Sequence, residues 1–179
     1  MPKPIDRSRR GFFTGSLLTR EGKQKIEQQI KPRGIIPPGL SAAVEAGLCQ
    51  HCAAECVTAC PQHIIKQHPK DHALSAQPWL DFEQAGCTFC GECNIACPHT
   101  FVDDSSPKLA QLGKAHISED QCYTWSGIVC MSCVSVCPLD LFKFEYGKPA
   151  IQLDACTGCG SCVAICPASA ISVLAQPNP

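Results

Sequence analysis

The residues able to do chemistry in this chain are cysteines, and they come in runs. Cys156, Cys159, Cys162 and Cys166 are spaced C-x2-C-x2-C-x3-C, and Pro167 follows the last of them. This is the spacing of a bacterial [4Fe–4S] ligand run. Two-residue gaps let one tight loop set three thiolates at three corners of a cubane. Gly158 and Gly160 allow the backbone to approach the sulfurs closely and to take positive φ. The fourth cysteine of such a run lies too far along to cap the same cube, and in two-cluster ferredoxins it ligates the other one.

Three further runs precede it: Cys49, Cys52, Cys56 and Cys60; Cys87, Cys90, Cys93 and Cys97; Cys122, Cys130, Cys133 and Cys137. Each run ends in Cys-Pro, with Pro61, Pro98, Pro138 and Pro167 in turn. All 16 cysteines are thus expected metal ligands, enough for four [4Fe–4S] clusters. The crossing rule would join Cys87, Cys90 and Cys93 with Cys60, and Cys49, Cys52 and Cys56 with Cys97. In the same way Cys156, Cys159 and Cys162 would join Cys137, and Cys122, Cys130 and Cys133 would join Cys166. A nested arrangement, run one with run four and run two with run three, is the alternative. Spacing alone leaves both open.

Two runs depart from the regular spacing. Run one has three residues between Cys52 and Cys56, with Glu55 as the extra one. Either the loop bulges around an ordinary cube, or the cluster there is strained and labile. Run three opens its first gap to seven residues, Tyr123 to Val129, including Trp125. Such a loop packs its own aromatics over the cluster or offers a docking tip, and the first reading is preferred.

The rival uses of cysteine fit less well. A disulfide framework expects an exported, oxidising setting. Zinc ribbons use separated C-x2-C pairs rather than four closely packed cysteines. His51 sits between two ligands, but four cysteines already serve that run, so a solvated side chain is the expectation. His63, His68, His72, His99 and His116 show no paired spacing and no carboxylate partner. No phosphate loop, dinucleotide fingerprint or nucleophile motif occurs. The expected chemistry is one-electron transfer without a catalytic residue, so the chain is not expected to be an enzyme.

These cysteines must be held by very short elements. With 179 residues, 2 Trp, 2 Tyr and 7 Phe, the chain has little bulk for a core, and metal clusters are the expected staples. Strand-like pieces follow the runs at His63–Ile65, Leu141–Phe144 and Ala170–Val173, and precede later runs at Pro78–Phe82, Lys114–Ile117 and Pro149–Leu153. Strand, turn and strand between runs suggests hairpins, with Tyr146-Gly147-Lys148 the clearest turn. Ser41 is expected to cap a short helix over Ala42–Ala46, and Arg20–Ile30 could form a polar, solvent-facing helix. The links between runs, 61–86, 98–121 and 138–155, are shortest between runs three and four. The expected fold is α+β: two tandem ferredoxin-like modules, each a 2[4Fe–4S] unit, at 41–112 and 113–179, behind a flexible basic arm and Pro-rich linker at 1–40.

The arm carries nine Lys and Arg against Asp6, Glu21 and Glu27, a charge of +6. The whole chain carries −1, so residues 41–179 carry −7. A basic arm on an acidic body argues against a nucleic-acid site, since no aromatic platform accompanies the charge. No stretch approaches the ~18 apolar residues of a membrane span. Ser8-Arg9-Arg10-Gly11-Phe12-Phe13-Thr14 is like a twin-arginine export box. The apolar run after it is short, interrupted by Thr14, Gly15 and Ser16 and closed by charge, so a cytoplasmic protein is expected. Phe12, Phe13, Leu17 and Leu18 make the arm a candidate partner contact.

The arm, the C-x7-C-x2-C-x3-C third run and the regular fourth run together resemble the NapF family. Its members are ferredoxin-type accessory proteins of the periplasmic nitrate reductase system. The resemblance spans nearly the whole chain, with the gap after Cys52 as its main departure. It implies a cytoplasmic partner of the catalytic molybdoenzyme subunit, acting in maturation before export by supplying electrons or helping that subunit's iron–sulfur centre form. The rival functions are a plain electron carrier or electron-input subunit of another anaerobic oxidoreductase, and a sensor or donor in which run one gives up iron.

Overall fold

The short apolar pieces flanking the cysteine runs become the strands. The computed structural model describes residues 34–100 and 111–175, so the expected arm helix and the export-like box lie outside the described residues. β1 (Ile65–Gln67) pairs antiparallel with β2 (Pro78–Leu80), and β4 (Phe142–Glu145) with β5 (Lys148–Ile151). Tyr146 and Gly147, at φ 51° and 79°, make the two-residue turn of the second hairpin. Two left-handed residues match the twist of the flanking strands.

β3 (Lys114–Ile117) does not join a hairpin. It pairs antiparallel with β6 (Ile171–Leu174), from Lys114 opposite Leu174 to Ile117 opposite Ile171. A short alternating strand states which face is buried, not which strand it joins. Here the C-terminal strand, freed by the turn after Cys166, closes back onto the segment that precedes run three.

Five one-turn α-helices occur among the described residues: α1 (Ser41–Glu45), α2 (Glu55–Ala59), α3 (Glu92–Ile95), α4 (Ser132–Val136) and α5 (Ser161–Ala164). A 3₁₀ turn, Leu48–His51, follows α1. The Cys-Pro pairs explain why the four later helices are so short. Proline disfavours the α conformation in the residue before it and has no N–H to continue a helix. Cys60 and Cys137, which end α2 and α4, are accordingly extended, at ψ 112° and 114°. After each Cys-Pro the chain turns back. The N–H groups of His63, Thr100, Asp140 and Ser169 donate to the carbonyls of Cys60, Cys97, Cys137 and Cys166, at 3.1, 3.3, 3.2 and 3.2 Å. Ser41 does not cap α1; Leu40 occupies the cap position without a side-chain hydrogen bond, and Ser41 is the first helical residue.

Two apolar cores result. The first joins Leu40, Ile64, Ile65, Leu80, Phe82 and Leu112 with Cys56, Cys60 and Cys93. The second joins Ala115, Leu141, Phe142 and Ile171 with Cys133, Cys156 and Cys162. Cysteine is a principal residue of both. The expected linker at Pro37–Pro38 is corrected here. Pro37 and Leu40 are fully buried, Ile35 and Ile36 pack on the first core, and the Ile35 carbonyl accepts the Leu80 N–H at 2.8 Å. Two isoleucines and a leucine around the prolines bury too much apolar surface to remain a free tether. No helix of the described residues is long and apolar enough to cross a membrane.

Candidate cluster sites

The folded chain gathers its cysteines around four cavities, each lined by four of them. Site A has Cys49, Cys52, Cys56 and Cys97; site B has Cys60, Cys87, Cys90 and Cys93. Site C has Cys137, Cys156, Cys159 and Cys162; site D has Cys122, Cys130, Cys133 and Cys166. Three thiols of each site come from one run and the fourth from its neighbour. The grouping follows the crossing arrangement, runs one with two and three with four, and the nested alternative does not form. Their atom-free volumes, open mouths included, are about 330, 350, 390 and 370 Å³ for A to D. Four cavities so alike suit four copies of one group.

The elements place the thiols in a repeated way. The third cysteine of each run sits on its one-turn helix and is buried: Cys56 on α2, Cys93 on α3, Cys133 on α4 and Cys162 on α5. The fourth lies at or just past the end of the same helix and lines the neighbouring site. Gly91 and Gly160, at φ 81° and 80°, bring the chain into α3 and α5. Two sulfurs also accept backbone hydrogen bonds, Cys87 from the Phe89 N–H at 3.4 Å and Cys166 from the Ala170 N–H at 3.3 Å. Such bonds stabilise negative charge on a cluster's sulfur and so tune its potential.

Burial, and then the neighbouring sulfurs, push the Cys56 and Cys162 thiols up to about 12 and Cys93 up to about 11. Cys87 and Cys133 are raised too, burial first. An apolar wall disfavours a bare thiolate, so these thiols keep their protons unless a metal balances the charge. All sixteen cysteines are free of disulfides. Among the described residues no three or more His, Cys, Asp or Glu side chains converge closely enough to hold a single metal ion. A cubane asks for something else: each thiolate binds a different corner iron, so the four sulfurs surround a volume instead of a point.

Sites A and D differ from B and C, as their irregular spacings suggested. At A the extra residue puts Ala54, at φ 63°, where α3 and α5 have glycine. The Cys52 thiol donates to Glu55 Oε2 at 3.0 Å, which raises the thiol and lowers the carboxyl. His51 is exposed and does not line the cavity, whereas His99 does. At D the long loop folds on itself, with the Trp125 backbone N–H donating to the Cys122 carbonyl at 3.0 Å and the Ile128 backbone N–H to the Tyr123 carbonyl at 2.9 Å. Tyr123 lines the cavity, but Trp125 lies under Lys148 Nζ, 3.8 Å from its ring centroid. Ile128 and Val129 are left outward, Val129 at 92% exposure.

Two features leave no mark in the sequence. Lys114 was legible only as a strand residue, yet its Nζ donates to the carbonyls of Cys156 and Asp154 at 2.8 and 3.1 Å. His68 and His72 showed no pairing by sequence, yet their rings stack at 4.6 Å, with Trp79 behind His68 at 5.8 Å. Both depend on folding over a turn or between distant segments, and neither leaves a local signal.

The 4Fe-4S dicluster domain family matches this chain twice, over residues 48–101 and 127–170, together just over half of it. The chain belongs to that family. The two matches and the 16 cysteines show that this dicluster protein carries four [4Fe–4S] clusters. The second match begins after Cys122, inside the long gap of run three. The protein is homologous to ferredoxin-type proteins of several names. It is 27% identical to the ferredoxin-type protein NapF of Escherichia coli (strain K12), over 94% of each chain. It is 28% identical to the methylamine utilization ferredoxin-type protein MauM of Paracoccus denitrificans, over 84% of this chain and 72% of that one. It is 30% identical to the ferredoxin-type protein NapG of Escherichia coli (strain K12), over 79% of this chain and 67% of that one. No solved structure matches it.

Proposed function

We propose that the four cysteine groups at sites A to D are the cluster ligands, four thiolates to a cube, and that the protein works by one-electron transfer and not as an enzyme. The clusters supply reversible one-electron chemistry. The chain's own residues hold the thiolates, shield them with apolar walls and donate N–H groups to their sulfurs. The observation that carries the reading is the fourfold grouping, in which every site takes its last thiol from a neighbouring run.

The role that fits best is that of a cytoplasmic accessory factor in maturation of the catalytic molybdoenzyme subunit of a periplasmic nitrate reductase, before its export. The NapF relative, matched over 94% of each chain, supports this. Binding to the purified catalytic subunit in its immature, cofactor-free and mature forms tests it. Tight binding to the immature form alone is expected. Rapid electron delivery to the mature form without preference for the immature one would instead establish an electron carrier or input subunit, a reading that four sites within one small body also supports.

A further inference from the structure

The two halves of the chain meet at their inner sites, B and C. Cys87, which lines B, donates its backbone N–H to the carbonyl of Cys159, which lines C, at 2.7 Å. This is the short end of the N–H···O range. A second hydrogen bond runs beside it, from the Leu112 N–H to the Thr157 carbonyl at 2.9 Å. Glycine makes the approach possible. A methyl on Gly86 would fall on the Ser161 hydroxyl and 2.6 Å from the Ser161 nitrogen. A methyl on Gly160 would overlap the ring of Phe82, itself buried in the first core. Val163 packs against both cores.

Inside each half, neighbouring sites are already joined by the chain. Cys56 of A and Cys60 of B lie on α2 and its end, and Cys93 of B and Cys97 of A on α3 and just beyond it. Cys133 and Cys137 link D to C through α4 in the same way, and Cys162 and Cys166 link C to D through α5. The sites therefore stand in the order A, B, C, D, and the B–C step has no covalent link of this kind.

We propose that the Cys87–Cys159 hydrogen bond is the electron junction between the two halves, with Gly86 and Gly160 as its positioning residues. The proposal rests on the reading of the four sites as clusters. Its route runs from Cys87 Sγ through Cβ, Cα and N–H to the Cys159 carbonyl, and on through Cα and Cβ to Sγ. A hydrogen bond carries electronic coupling better than a van der Waals gap of the same span. One electron leaves one half as the other gains it; no covalent bond changes and no proton moves.

The test uses the full chain, loaded and anaerobically isolated. Gly86→Ala is compared with Lys143→Ala, an exposed position on β4 that lines none of the four cavities. Iron and sulfide assays come first, and a wild-type chain without clusters would sink the cluster reading itself, apart from the junction. After complete reduction with dithionite, Gly86→Ala should lose one set of spin–spin splittings in the paramagnetic resonance spectrum while keeping its iron, and Lys143→Ala should keep all of them. An unchanged Gly86→Ala spectrum overturns the junction. Should Gly86→Ala fail to hold its clusters, hydrogen exchange of the loaded wild type decides. The Cys87 amide should be strongly protected, and exchange at the rate of an open loop amide overturns the proposal.

Discussion

Replacing Ala54 with glycine should make site A hold its cluster more firmly. Ala54 precedes α2 at φ 63° and ψ 39°, a left-handed position that glycine fills before α3 and α5. An L-residue there costs about 1–2 kcal/mol. Glycine gives back about 0.4–1 kcal/mol through the greater freedom of the unfolded loop. The net gain is on the order of 1 kcal/mol, which lowers the population of the opened loop about fivefold. Chelator challenge under anaerobic conditions measures it, since release from a closed cavity must follow local opening. The slow step assigned to site A should slow by up to about fivefold in Ala54→Gly. Gly91→Ala makes the reciprocal change before α3, at φ 81° and with nothing within 4 Å of the added methyl, so it isolates the backbone effect. It should hasten loss from site B by a similar factor. Unaltered release from both variants would show that loop strain does not govern cluster retention.

Stripping iron under reducing conditions should abolish cooperative unfolding of both halves, because cores built partly of cysteine have little else to hold them; a metal-free chain with native NMR dispersion would refute this. Cluster retention should weaken as the pH falls and strengthen as it rises. The buried thiols of Cys56, Cys93 and Cys162, pushed up to about 12, 11 and 12, all hold their protons at neutral pH when iron is absent. Every thiolate–iron bond then displaces a proton, and visible absorbance followed anaerobically from alkaline to acid pH should show the loss; retention independent of pH would contradict it. Deleting residues 1–20 should leave the cluster content intact and weaken binding to the immature catalytic subunit, because those residues carry much of the +6 arm and its Phe12, Phe13, Leu17 and Leu18. Calorimetry at two salt concentrations checks this, and equal affinity and salt dependence for both chains would remove the arm from the partner surface.

Most of the site was legible because cluster ligation is written in local spacing. The cysteine runs, the strand at Lys114–Ile117 and the turn at Tyr146–Gly147 follow from residues close together in the chain, whereas spacing leaves open which run lends each cavity its fourth thiol. What local spacing does not carry is partnership between distant segments. The pairing of β3 with β6, the burial of Pro37 and Leu40, and the reach of Lys114 to the Cys156 carbonyl all depend on where the chain returns. The left-handed positions were legible only in part. Gly158 and Gly160 announced themselves, but in run two Phe89, at φ 56°, occupies the place that Gly158 holds in run four. A site that is fixed on all sides can impose φ on a residue that would not choose it.

The same shortness that hides these partnerships explains why fold and cofactor are one problem in this chain. Helices of four or five residues are far below the ~12–15 needed for stability in isolation. None of α1 to α5 has a side-chain hydrogen bond at its cap, so tertiary contacts must hold each one. For α2 to α5 the deepest contact is the third cysteine of the run, on the side facing the cavity. Each of these helices therefore docks through the atom that would bind iron, and its following cysteine ties it to the next site. A cluster in A braces α3's end through Cys97, while a cluster in B braces α2's end through Cys60. Loss of one cluster thus loosens a ligand-bearing segment of its neighbour, and the two sites of a half should load and fail together. The Cys87–Cys159 contact, a hydrogen bond without a shared helix, should transmit much less of that loss from one half to the other.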